Sequence, residues 1–292
     1  MRRATTIDMT LLMLTAAIWA GAFVAIKVAV PALGPVGVAA ARAVIGFVVL
    51  LPFALFVGLP SPPNARTWLL LVAMAELNIA LPFFLISWAE QTVEAGVASL
   101  LMGVGPLFAM VGAHYFNDDD RMSPRRALGV ALGFIGIVIL VGAEAIGGLG
   151  AAALLPQGAL IGASLCYVVS GLLVRKIELA ALPLAIYALA IAAMTLVPIL
   201  WIATEAGPSL DQRTLGAILF LGIFPTGLAY ILRFYLIKTV GYATFALSIN
   251  LIPVFGVLLG ILVLNERLTL NVAIALALVL SGLFVARGRA NT

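Results

Sequence analysis

Along this chain the polar residues come in short clusters and the apolar residues in long runs. Runs long enough to cross a hydrocarbon core fall at roughly 8–30, 36–58, 67–89, 93–115 and 126–143, then at roughly 156–175, 182–204, 212–236, 241–263 and 270–286. Breakers separate them: Pro31-Ala32-Leu33-Gly34-Pro35, Pro60-Ser61-Pro62-Pro63-Asn64 and Gly147-Gly148-Leu149-Gly150. The pattern predicts an all-α membrane protein of about ten transmembrane helices. The run from Met9 to Val30 is too long for a signal sequence and is expected to be the first span.

The pattern also repeats. Leu100, Pro106 and Phe108 match Leu247, Pro253 and Phe255 at a spacing of 147 residues, and Thr92-Val93 matches Thr239-Val240, with Trp88 opposite Tyr235. After a one-residue slip, Asp120-Arg121-Met122-Ser123 matches Glu266-Arg267-Leu268-Thr269, and Gly136 matches Gly282. An ordered set like this marks a duplication, 1–146 and 147–292, with five helices in each copy. Because five is odd, the second copy is expected to sit upside down in the bilayer, the inverted-repeat plan of many secondary transporters.

Charge tests that plan. With the N-terminus inside, the cytoplasmic segments carry Arg2, Arg3, Arg66, Arg121, Arg125, Arg126, Arg175, Lys176, Lys238, Arg287 and Arg289. The opposite side carries Arg213 and Arg267. This bias predicts that both termini are cytoplasmic. Composition agrees with a lipid solvent: 64% of residues are hydrophobic and 10% charged, against about 25% charged in a soluble domain. The net charge of +4 follows from topology, and no basic stretch interleaved with aromatics suggests nucleic acid. Cys166, the single cysteine, can form no internal disulfide.

The start Ile18-Trp19-Ala20-Gly21-Ala22-Phe23 leading to Lys27, the Pro106 and Pro253 helices, and the acidic-Leu-Ser/Thr turn before each copy's last helix together resemble the drug/metabolite transporter superfamily, of the paired EamA-domain type. Within it the chain resembles YddG-like bacterial amino-acid exporters. The resemblance covers essentially the whole chain. It implies a ten-helix basket around a central cavity in the bacterial inner membrane, and a small-molecule substrate. The first copy departs from the usual single acid by carrying Asp118-Asp119-Asp120.

The candidate site residues follow from the breaks. Gly103-Val104-Gly105-Pro106 and Asn250-Leu251-Ile252-Pro253 interrupt the fourth and ninth runs near their midpoints, and a proline frees a carbonyl that hydrocarbon cannot satisfy. Corresponding breaks near the midplane point to a substrate site. Helical spacing puts Ser99, Met102, Gly103 and Pro106 on one stripe and Ala246, Ile249, Asn250 and Pro253 on the other. The competing reading is close helix packing through small residues.

A second pair of breaks is expected at Pro82 and Pro225-Thr226-Gly227, with Glu76 and Asn78 beside the first. Glu76 could carry a coupling proton or pair with Arg42. Asn78 and Asn250 suit hydrogen bonding to a polar solute. Trp19, Tyr167 and Tyr230 lie at depth, where their polar tips need partners, whereas Trp68 and Trp88 suit interfacial anchoring. Lys27 and Arg42 are expected to snorkel to the outer interface, with a substrate-carboxylate role as the alternative.

These residues predict a secondary transporter exporting small metabolites, chiefly aromatic or large neutral amino acids. A broad-specificity drug/metabolite exporter of the same fold is the alternative. No phosphate loop is present, and His114 has no second ligand, so no cofactor or metal is expected. An intramembrane enzyme would need a paired catalytic set that the apolar runs lack. A channel would more often be assembled from several subunits, whereas this chain holds both halves itself, so a monomer is compatible with it.

Overall fold

Every regular element among the described residues of the computed structural model (5–116, 122–144, 150–203 and 211–286) is helical. We name α1 (Thr6–Leu50), α2 (Ala65–Ala89), α3 (Ala95–Met102), α4 (Gly105–Phe116), α5 (Pro124–Glu144) and α6 (Gly150–Val174). They are followed by α7 (Ala181–Ala203), α8 (212–240), α9 (Tyr242–Leu264) and α10 (Leu270–Ala286). Seven helical stretches among the described residues are long and apolar enough to cross a membrane, and Ser248–Leu264 and Leu270–Ala286 are apolar but shorter. Asp118 to Arg121 and residues 147–149 of the expected linker lie outside the described residues.

The longest element, α1, is two antiparallel arms. Gly34 adopts φ 65° and ψ 170°, a region open essentially to glycine. In a straight helix, residues 21 and 46 would lie about 37 Å apart. Yet a Cβ on Gly21 would meet Phe220 at 3.1 Å and one on Gly46 would meet Thr226 at 2.6 Å, and these two partners are six residues apart on α8. The chain therefore reverses at Gly34, within the Pro-Ala-Leu-Gly-Pro turn expected from sequence. Polar caps fix other helix starts: Asn64 Oδ1 accepts from the Thr67 amide at 2.9 Å and Asp211 Oδ1 from the Thr214 amide at 2.8 Å.

Two large apolar cores result, beside a small cluster of Leu12, Leu236 and Phe245. One joins the first arm of α1 to α3, α4, α5, α6, α9 and α10, and the other joins the second arm to α2 and α7. The α5–α10 pair is the closest crossing. A Cβ on Gly129 would meet the Gly282 carbonyl at 2.5 Å, and one on Gly282 would collide with the Gly129 carbonyl. Lipid offers no hydrophobic drive between helices, so small residues gain adhesion by letting backbones touch.

The fourth and ninth spans form a second seam of small residues. Gly96, Ser99 and Gly103 on α3 face α9, where Pro253, Gly256 and Gly260 lie. A side chain on Gly103 would collide with the Pro253 ring, and one on Gly256 with Ser99. Beyond Gly103-Val104 the chain leaves this seam. In α4, Leu107 packs onto Gly133 of α5, and a Cβ on Gly105 would meet Ser164 of α6 at 3.0 Å. The two expected proline breaks are thus unequal, which corrects the symmetrical expectation: the fourth span parts into α3 and α4, whereas α9 runs through Pro253 without interruption. Gly103 and Gly105 correspond to Asn250 and Ile252, and glycine is the poorer helix former by about 0.5–1 kcal/mol.

The seam's end is tied by a carboxylate. Glu266, in the turn before α10, accepts the Ala95 amide on Oε1 at 2.6 Å and the Gly96 amide on Oε2 at 2.9 Å. It caps the positive end of α3 from another part of the chain. Glu266→Ala is expected to lower stability by about 1–2 kcal/mol, read as an earlier thermal transition in detergent. Gly282→Leu should cost about 1–3 kcal/mol by overpacking the α5–α10 crossing in the same assay, whereas Leu at the uncrowded Gly216 should not.

Candidate functional site

The two π-helical stretches among the described residues lie in register-related helices. Glu76–Ala80 interrupts α2 and Gly222–Leu228 interrupts α8, where the sequence placed its second pair of breaks. A π turn widens the helix and is common at functional sites. Here each stretch sends polar groups inward. From α8, the Pro225 carbonyl accepts the Trp19 indole N–H at 3.2 Å, and Thr226 Oγ1 accepts Arg42 Nε–H at 3.2 Å. The Trp19 ring also meets Phe245 edge-on, with centroids 5.9 Å apart.

From α2, Asn78 is the hub of a short chain of hydrogen bonds. The Tyr230 hydroxyl donates to Asn78 Oδ1 at 3.3 Å, Asn78 Nδ2 donates to Ser170 Oγ at 2.8 Å, and the Ser170 hydroxyl donates to the Tyr167 carbonyl at 2.9 Å. This network joins α2, α6 and α8. Three of the expected residues, Asn78, Tyr167 and Tyr230, are therefore brought together, with Ser170 as a member that sequence reading missed.

Arg42 lies beside this network. It is 6% exposed, which corrects the expectation that it snorkels to the interface. Its Cζ sits 3.5 Å from the centroid of the Phe83 ring, a cation–π contact. Phe83 and Tyr230 are 147 residues apart, so equivalent positions of the two copies serve the same guanidinium. Tyr167, Tyr230 and Glu90 are within its electrostatic reach. Its hydrogen bond among the described residues comes from Nε alone, which leaves the two terminal –NH2 groups free to grip a planar anion. Arg233, one turn beyond Tyr230, adds a second guanidinium whose buried Nε has no partner. It was recognisable as a charge inside an apolar run, by the argument that singled out Glu76.

Glu76 and Arg42 do not pair. The Glu76 carboxylate instead accepts the Thr195 hydroxyl at 2.7 Å, because Glu76 faces α7 while Arg42 faces α8. Lys27 donates to the carbonyls of Glu90 at 2.8 Å and Val93 at 2.7 Å, so it pins the α2–α3 turn rather than reaching for the interface. Ser99, Gly103 and Pro253 lie in the helix seam, as the packing alternative required. Met102, Pro106 and Asn250 are half-buried around it. Asn250 shares the seam stripe of Pro253 by helical spacing, and its amide makes no hydrogen bond among the described residues.

The arrangement presents guanidinium groups, phenols and an amide to the interior of an apolar bundle. Such donors can hydrogen-bond an anion in apolar surroundings.

Comparison with known proteins bears on what such a bundle does. The profile of the EamA-like transporter family matches residues 6–142 and again 156–288. An uncharacterized transporter of Archaeoglobus fulgidus is 25% identical, with 94% of this chain and 95% of that protein covered. The uncharacterized transporter YoaV of Bacillus subtilis is 24% identical with 92% of each covered. A protein of Streptantibioticus cattleyicolor named "probable terminal-alkyne amino-acid exporter" is 26% identical over 87% of this chain and 84% of its own length. A solved crystal structure shares the fold with a TM-score of 0.69 at 21% identity, covering 97% of this chain and 98% of that one. The chain is a multi-pass membrane transporter and belongs to the EamA-like transporter family.

Proposed function

We propose that this transporter exports small carboxylate-bearing metabolites, chiefly aromatic or large neutral amino acids, by alternating access. It does so as ten spans in two inverted copies, 1–146 and 147–292, with both ends cytoplasmic in a bacterial inner membrane. The observation that carries the substrate class is Arg42, buried against Phe83 with its terminal nitrogens unused. A guanidinium in low dielectric is costly unless an anion completes it, and the substrate's α-carboxylate supplies that anion. The rings of Phe83, Tyr167, Tyr230 and Trp19 suit an apolar side chain. The name of the Streptantibioticus relative supports amino acids as the cargo.

The seam supports alternation. On the charge-based topology, the α3–α9 contact lies on the outer half of the membrane and is closed, while α4 diverges from α9 on the inner half. The 147-residue register maps Gly96, Ser99 and Gly103 onto Ala243, Ala246 and Asn250. It maps Pro253, Gly256 and Gly260 onto Pro106, Ala109 and Ala113. A second set of small residues is thus available for an inner seam, and Ala109 is exposed in the present state. Closing it while the outer seam opens would turn the site to the other side.

Two experiments test this reading. Counterflow of labelled phenylalanine, leucine and related amino acids into proteoliposomes should saturate. Arg42→Gln should lower it at least about tenfold, as expected for losing one charge-assisted contact of about 1.5–3 kcal/mol; unchanged counterflow would remove Arg42 from the site. Cysteines at Ala109 and Ala246, in a Cys166→Ala background, should cross-link under oxidation when substrate is present and stop transport until reduced. A pair that never cross-links would refute the second seam.

A further inference from the structure

The α2–α3 turn holds a buried acid that the substrate site does not use. Glu90 is 1% exposed, and neither carboxylate oxygen has a hydrogen-bond partner among the described residues. One helical turn earlier, Ser87 is fully enclosed and its Oγ is also unpartnered. Positions i and i+3 share a helix face, so three oxygen atoms without partners lie along one side of the end of α2. Buried oxygens are rarely left this way, and such groups call for a ligand or a role.

Charged groups bear on Glu90 from three directions: Lys27 from the first arm of α1, Arg42 from the second arm, and Glu266 from the turn before α10. Lys27 spends two of its donors on the carbonyls of Glu90 and Val93 rather than on the carboxylate. Glu94 and Arg267 stand farther out, lining a small outer notch with Glu266. The Lys27 ammonium disfavours a metal cation beside it. A proton is the cation that fits, since it neutralises the carboxyl without bringing a charge into the packed turn.

We propose that Glu90 is a proton-binding site linked to the outer seam: it takes up a proton as α3 closes on α9 and releases it as they part. This rests on the alternating-access reading above. Burial, and the neighbouring Glu266 carboxylate, raise the Glu90 pKa well above the ordinary carboxylate range, with Lys27 and Arg42 acting in the opposite sense. In the open seam Glu90 meets water and returns toward an ordinary value of about 4.3. A group whose pKa is raised in the closed state favours that state at low pH. The closed-to-open ratio therefore falls as pH rises through the window between the two values, by up to about tenfold per pH unit.

The test uses the full chain in nanodiscs, with nitroxide labels at Thr92 and Leu270 in a Cys166→Ala background. Pulsed dipolar spectroscopy should resolve a short and a long separation between these outer positions, the short one gaining as pH drops from about 8 to 5. Glu90→Gln, which mimics the protonated acid, should hold the short separation at every pH. Glu90→Asp should keep the response with a shifted midpoint, and Glu76→Gln should leave it in place. Infrared titration provides a second readout: a protonated-carboxyl C=O band should persist above the ordinary carboxylate range and vanish in Glu90→Gln. Two populations that ignore pH, or a band retained in Glu90→Gln, overturn the proton site while leaving alternating access standing. A single population under all conditions, with or without phenylalanine, overturns both. A response that follows sodium concentration at fixed pH replaces the proton with a metal cation and also overturns the proposal.

Discussion

In a hydrocarbon solvent a backbone carbonyl or amide freed from its helix must be answered from inside the protein. That constraint organises this molecule. Its two π stretches and the Gly103-Val104 break loosen the ladder in three long apolar elements. At the π stretches the Pro225 carbonyl is answered by the Trp19 indole, and the side chains of Thr226 and Asn78 meet Arg42, Ser170 and Tyr230. The candidate site is what those contacts leave at the centre. A bundle of unbroken apolar helices would have no reason to place an arginine or an asparagine there.

The same constraint explains why the duplicated chain is not symmetrical in shape. Gly103 gives the Pro253 ring room, so α9 keeps its helix through a proline while α3 ends beside it. At the equivalent inner position Asn250 would meet Pro106, and an asparagine cannot approach a ring as closely as a glycine can. A second seam of alanines and Asn250, as proposed above, would therefore close less tightly than the seam of glycines and Ser99.

Much of this was legible in the sequence. Pro31 to Pro35 announced the reversal at Gly34 because two prolines flank a glycine, and the prolines of α2 and α8 announced the π stretches. Asn78, Tyr167 and Tyr230 were recognisable as polar groups at depth. Facing direction was not legible. Arg42 read as a snorkelling residue because counting along its arm gives depth but not which side of the helix it occupies, and the same blindness paired it with Glu76. Glu90 drew no attention in the sequence because it falls between apolar runs. Its burial comes from Lys27, 63 residues away, drawing the turn inward by its carbonyls.

The charges at the outer half bear on how site and seam communicate. Arg42 faces the candidate site, yet Glu90 lies within its field, and Glu90 in turn senses Glu266, which caps the helix at the seam. When a substrate carboxylate binds Arg42, it takes over the neutralisation of that guanidinium and withdraws part of the positive potential that favours ionised Glu90. Substrate and proton then bind with mutual reinforcement, by linkage. Release of a solute from Arg42 would then favour loss of the proton from Glu90. The buried arginine and the buried glutamate are in that sense one device, joined by a field rather than by a salt bridge.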